Sequence, residues 1–191
     1  MLEDDKLLAW FGQNVENFTH PKLHPIPIGL ANKHWAHGNT EVFASIGGNL
    51  ATYVKIHLLY MNFAVNTAPQ ERSKVYKQFI QQPFCATSSP KDLTSYLMDL
   101  AQSKFVLSPR GNGLDCHRTW EALYMGAIPI VRTSTLDPLF EDLPVLIIND
   151  WSEITDSFLL EKYQEMQGKT YQLEKLYSAY WIQQINSFKD K

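Results

Sequence analysis

The sequence predicts an α/β domain, with a parallel sheet wound in both directions and helices on both of its faces. Three observations predict it. Short apolar runs alternate along the chain with longer stretches of helical period. The runs are near-continuous hydrophobics, as suits strands covered on both faces. Proline, glycine and Asp, Asn, Ser or Thr fall between runs and helices, where turns and caps need them.

The first expected strand is 26–28 (IPI), after His24 and Pro25. The second, 55–62 (KIHLLYMN), leads into a helix over 67–82. That helix opens on Thr67 as cap, with Pro69 behind it, and keeps Arg72, Val75, Tyr76, Phe79 and Ile80 at helical spacing. Residues 83–90 have room for a further short strand. A helix over 89–104 follows, with Pro90 at its first position and Leu93, Leu97, Leu100 and Ala101 on one face. Strand 105–108 (FVLS) runs through a loop into a helix over 115–125, closed by Gly126. Strands 128–132 (IPIVR) and 145–149 (VLIIN) come next. Aromatic-rich helices over 151–160 and 170–188 then pack back, as do residues 1–20, so that 1–191 form one domain.

Units of this length imply right-handed crossovers, and ligands of such sheets bind beyond the carboxyl ends of the strands. The loops of interest are therefore 29–39, 63–67, 109–114, 133–137 and 150–151.

Composition narrows the function. A hydrophobic share of 45% and a charged share of 19% belong to a folded chain. The net charge is −3, and no dense Lys/Arg run occurs, which argues against nucleic-acid binding and a polybasic membrane anchor. Cys85 and Cys116 show no CxxC or zinc-site spacing and are expected to be reduced, buried thiols. The acidic N-terminus is unlike a signal peptide, and no apolar run approaches the roughly 20 residues of a membrane span. A cytoplasmic protein without a membrane span is expected.

The chemistry concentrates in 108–121. A strand ends at Ser108, Gly111 and Gly113 loosen the loop Pro109–Leu114 around Arg110 and Asn112, and Asp115 is positioned to cap the next helix. A helix N-terminus beside such a loop is a phosphate site, and Arg110 and Arg118 add bidentate donors. The spacing matches neither GxGxxG nor Walker A. At about 100° per residue, Cys116, Trp120, Leu123 and Ala127 share a core side, and Arg118 and Glu121 lie opposite. Those two are either an exposed i,i+3 ion pair or ligands of phosphate and ribose.

The stretch FVLSPRGNGLDCHRTWEALYMGAIPIV resembles the C-terminal, nucleotide-sugar-binding domain of the exostosin-like glycosyltransferases, and more loosely that of other GT-B enzymes. The resemblance implies a three-layer Rossmann-like domain like the C-terminal half of a GT-B enzyme. It assigns Arg118 to the donor's diphosphate, Glu121 to its ribose, Gly126 to the turn, and Ser108, Arg110, Gly111, Asn112 and Gly113 to the donor loop. IPIGLANKHWAHGN (26–39) and NFAVNTAPQER (62–72) look like earlier loops of the same group.

The implied function is a glycosyltransferase-like protein that binds a nucleotide sugar for transfer to a saccharide or other hydroxyl acceptor. The sugar nucleotide is a substrate, and no further cofactor or metal is expected, since no Asp-x-Asp, GxSxG or HExxH motif occurs. The alternative is a non-catalytic or truncated module, because a GT-B enzyme has two such domains and this chain has room for the second. Its partner would be an N-terminal domain elsewhere or a second copy. No residue is assigned as catalytic.

Outside this core, His34 and His37 read as loop histidines and His117 as a packed imidazole. Asn32 and Trp35 offer a hydrogen bond and a stacking face to a sugar. Arg72 is either structural or in the cleft; Arg132 and Thr133 follow a strand end, where a loop would contact the base or sugar, and Asp150 and Trp151 either do the same or form a helix cap beside a buried Trp.

Overall fold

The apolar runs become a five-stranded, all-parallel sheet in the computed structural model, which describes residues 2–16 and 20–189. In chain order the elements are β1 (Trp10–Gly12), β2 (Leu23–Pro25), α1 (Thr40–Gly47), β3 (His57–Met61), α2 (Pro69–Phe79) and β4 (Cys85–Thr87). They continue with α3 (Leu93–Ala101), β5 (Ser103–Leu107), α4 (His117–Tyr124), β6 (Ile128–Arg132), β7 (Leu146–Ile148), α5 (Asp156–Gln167) and α6 (Ser178–Asn186).

Across the sheet the order is β4-β3-β5-β6-β7. The winding reverses between β3 and β5, and this is where a crevice opens in sheets of this kind. Leu59 pairs with Phe105 and Tyr60 with Val106, so the two strands end level and their following loops lie side by side. One face buries Leu59, Met61, Phe105, Leu107 and Ile130 with Val75 and Phe79 of α2 and Leu159 and Met166 of α5. The other buries Tyr60 and Val106 with Phe43, Ile46, Leu97, Leu100 and Ala122, from α1, α3 and α4. Side chains alternate across a strand, so each of these strands feeds both layers. The result is the three-layer α/β fold that the sequence predicts.

Several boundaries differ, each for a local reason. The strand expected at 26–28 is instead β2, which pairs with β1 in a separate two-stranded sheet. Ile26 N still donates to Gly12 O at 3.0 Å, but Pro27 has no N–H to extend the ladder. The second helix starts at Pro69 without a side-chain cap, because the Thr67 hydroxyl donates back to Ala64 O at 3.0 Å. The third starts at Leu93, since Asp92 rather than the Pro90 segment caps it by accepting Ser95 N at 3.0 Å. The fourth has Cys116, not Asp115, at its N-cap position and no side-chain cap bond. The Asp115 carboxylate accepts instead from Trp120 Nε1 at 2.8 Å and from Ile28 N at 2.8 Å.

Two expected long helices are each split into a short turn and a helix. The turn Trp151–Glu153 is capped by Asp150, the structural one of its two expected roles, and α5 starts again behind Thr155. The turn Leu173–Leu176 precedes α6, where Trp181 Nε1 donates to Lys175 O at 2.8 Å. Phe188 lies against the rings of Phe11 and His24, at 5.5 and 4.9 Å, which docks this end on the small sheet. None of the described helices is long and apolar enough to cross a membrane.

Gly126 ends α4 with φ +66°, and its N–H and that of Ala127 bond to Leu123 O and Ala122 O. Only glycine adopts this conformation without strain. Gly126→Ala is expected to cost about 1 kcal/mol, read as a lower urea midpoint at unchanged m-value.

Candidate functional site

Asn62 and Phe63 follow β3 directly, and Ser108 and Pro109 follow β5. Two arginines join these loops. Arg72, on the first turns of α2, is only 4% exposed. Its Nε donates to Arg110 O at 2.8 Å, its Nη1 to Ala64 O at 2.8 Å and to Thr67 Oγ1, and its Nη2 to Pro109 O at 3.2 Å. Nη2 also lies 3.7 Å from Cys116 Sγ. The rigid fork of a guanidinium suits such divergent acceptors. Burial first, and then the charge of Arg118, pull the Arg72 pKa below its ordinary value. Of the two expectations for Arg72, the structural one holds: it is a clamp across the switch point.

Arg118 comes from the first turn of α4. Its Nε donates to Asn62 O at 2.9 Å. The Phe63 ring lies between both cations, 5.5 Å from the Arg72 guanidinium and 5.4 Å from that of Arg118. Arg118 Nη1 is buried and has no hydrogen-bond partner among the described residues. An unpaired buried donor is costly, by about 1–3 kcal/mol and more when charged.

Glu121 stands one turn on from Arg118 and is only 5% exposed. Its Oε2 accepts from the Tyr96 hydroxyl at 2.8 Å. Burial raises its pKa, opposed by the Tyr96 bond and by the charges of Arg118, His117 and His37. The exposed ion pair considered for Arg118 and Glu121 does not form: one bonds a backbone carbonyl, the other a tyrosine. Thus Arg118, Glu121, Phe63 and the Asn62 carbonyl converge at the carboxyl ends of β3 and β5.

The predicted loop residues have protein partners of their own. Ser108 Oγ is buried against Thr119 Oγ1 at 2.9 Å, and Arg110 pairs with Glu16 at 3.0 Å. Neither Gly111 nor Gly113 has a positive φ; both are needed for close approach. A β-carbon on Gly111 would stand 3.0 Å from Arg72 Nη2, and one on Gly113 only 2.4 Å from Asn14 Oδ1. Asn14 Oδ1 also accepts from Asp115 N, at 2.6 Å. Asn112 is exposed.

Of the other sequence candidates, His117 is packed as expected, its Nδ1 bonded to Gly29 O at 2.7 Å. Arg132 is exposed and donates to Asn149 O at 3.2 Å, and Thr133 donates to Asp137 at 2.6 Å. Cys85 is a core thiol whose pKa burial pushes up to about 12, whereas Cys116 is only half-buried rather than core. Among the described residues no three His, Cys, Asp or Glu side chains gather to hold a metal ion.

Sequence reasoning missed Tyr96, although Leu93, Tyr96, Leu97 and Leu100 share helical spacing. It missed the network behind Asn62 as well. The Tyr60 hydroxyl donates to Asp99 at 2.8 Å and meets Ser88 Oγ at 2.7 Å, and Asn62 Nδ2 donates to Ser88 at 3.0 Å. A groove of about 530 Å³ between α1 and α3, lined in part by Val42, Ser45, Tyr53 and Met98, holds none of the predicted site residues.

A family described as the RXYLT1 C-terminal domain matches residues 69–190, which include Arg72, Tyr96, Arg118 and Glu121. No curated protein matches the chain.

Proposed function

The chain belongs to the RXYLT1 C-terminal domain family, an exostosin-like glycosyltransferase family, and on that footing we propose that it binds a nucleoside diphosphate sugar between β3 and β5. The observation that carries this reading is the buried, unpartnered Nη1 of Arg118, beside a buried carboxylate and a helix N-terminus. A diphosphate oxygen supplies the acceptor that this donor lacks. Tyr96 holds one oxygen of Glu121 and leaves the other for ribose hydroxyls. Ser108, Arg110, Gly111, Asn112 and Gly113 line the sugar and phosphate side, Asn112 from its exposed position.

In the transfer itself, an acceptor hydroxyl oxygen bonds the anomeric carbon as the bond from that carbon to the diphosphate breaks. The electron pair leaves with the diphosphate, the hydroxyl proton passes to a leaving diphosphate oxygen or to water, and Arg118 and the first N–H groups of α4 stabilise the growing charge. The acceptor is a saccharide or another hydroxyl compound.

A second reading, binding without transfer, is favoured by one contact. The Glu16 carboxylate pairs with Arg110 as a phosphate would. Donor hydrolysis separates the two readings: a chain that binds nucleotide sugars and never cleaves them is a binding module.

The ribose assignment has its own test. Glu121→Gln is expected to weaken binding of a ribonucleotide sugar about tenfold, or 1.4 kcal/mol, and to leave the 2′-deoxy analogue nearly unaffected. Equal affinity of Glu121→Gln and wild type for the ribonucleotide sugar would remove Glu121 from the site.

A further inference from the structure

The loop 29–39 carries a cluster of rings that donor binding does not use. Trp35 N donates to Asn32 O and Gly38 N to Trp35 O, both at 2.9 Å, winding it into consecutive tight turns. Gly38 packs so closely that a β-carbon would stand 2.0 Å from Asn32 O, which fixes glycine there. Ala31 is buried and Asn39 caps α1, so both ends of the turn are anchored.

From this anchored turn His34, Trp35 and His37 stand out into solvent. The indole is 56% exposed, flanked by His34 at 5.3 Å and by His37 at 6.1 Å and 26°. His37 in turn lies 6.4 Å from His117, the neighbour of Arg118 in sequence. The indoles of Trp120, Trp151 and Trp181 each donate their N–H inside the protein. Among the described residues the N–H groups of Trp35 and Trp10 have no such partner, and Trp35 is the more exposed of the two, 56% against 43%.

We propose that Trp35, with His34 and His37, is a platform for a pyranose ring of the acceptor saccharide. The indole offers a flat apolar face to the C–H face of a sugar, and the imidazoles offer donors and acceptors to its hydroxyls. The row Trp35–His37–His117 leads inward from solvent, and the charges of His37 and His117 reach Glu121, which sets the platform beside the proposed ribose end of the donor site. The acceptor role rests on the donor-site reading; sugar binding at Trp35 does not, and is measured without nucleotide.

The test is a titration of protein ¹⁵N-labelled at tryptophan with the methyl pyranosides of glucose, galactose, mannose and N-acetylglucosamine, followed at the indole N–H signals. The Trp35 signal is expected to move with at least one glycoside while those of Trp120, Trp151 and Trp181 stay. Trp35→Ala is expected to weaken that glycoside about tenfold and to leave nucleotide-sugar affinity unchanged. No shift at Trp35 with any of the four, or unchanged glycoside affinity in Trp35→Ala, overturns the proposal. A loss of nucleotide-sugar affinity in Trp35→Ala overturns the separation of the two subsites.

Discussion

Arg118→Met is expected to lower nucleotide-sugar affinity about 100-fold while the melting temperature stays within a few degrees of wild type. Two opposed effects on folding produce this split. The substitution loses the Nε bond to Asn62 O and the cation against Phe63, together about 1–2 kcal/mol. It also removes a buried, unpaired N–H of comparable cost, and methionine keeps apolar contact with the ring. Binding has no such compensation, because charge-assisted bonds to a diphosphate contribute about 1.5–3 kcal/mol each. Titration calorimetry and a thermal melt check both halves. A folded Arg118→Met protein with wild-type affinity would take the diphosphate away from this helix.

Arg72→Met is expected to do the reverse, costing about 3–5 kcal/mol of stability, since each buried acceptor that loses its donor costs about 1–3 kcal/mol. The carbonyls of Ala64, Pro109 and Arg110 and the Thr67 hydroxyl all lose their shared donor. A domain of this size has about 5–15 kcal/mol in hand, so the variant unfolds at much lower urea. Arg72→Lys recovers only part of the loss, since a single ammonium cannot span acceptors on both loops. A shift below about 1 kcal/mol for Arg72→Met would show that the loops hold their places without it.

The architecture was legible because it depends on pattern. The continuous apolar runs at 55–62, 128–132 and 145–149 each contain a strand of the sheet, the run 105–108 overlaps β5, which starts two residues earlier at Ser103, and even the short strand within 83–90 is present as β4. What pattern could not give is competition for single hydrogen bonds. Asp115 looks like a helix cap, but the Trp120 indole and the Ile28 amide claim its carboxylate from five and 87 residues away. Thr67 and the Pro90 segment fail as helix starts for similar local reasons. The helix α1 lies in a stretch, 40–54, to which the sequence pattern assigns no element, and its start becomes plain only with Asn39 accepting from Glu41 N.

The site was half legible. Helical spacing puts Arg118 and Glu121 on one side of α4, where Arg118 bonds Asn62 O after β3 and Glu121 bonds Tyr96 of α3. The same spacing gives no sign that Glu121 is buried, because the covering residue, Tyr96, comes from α3. Nor does spacing distinguish a clamp from an arginine with a donor left unpaired. Arg72 and Arg118 flank one phenylalanine, and only the count of satisfied donors separates them.

The central claim is that the crevice between β3 and β5 takes a nucleoside diphosphate sugar. Calorimetric titration of the chain with UDP-, GDP- and ADP-sugars tests it most directly. The account predicts saturable binding of at least one of these classes, lost in Arg118→Met and weakened in Glu121→Gln. A folded wild-type chain that binds none of them, or binds one equally well in both variants, would contradict it.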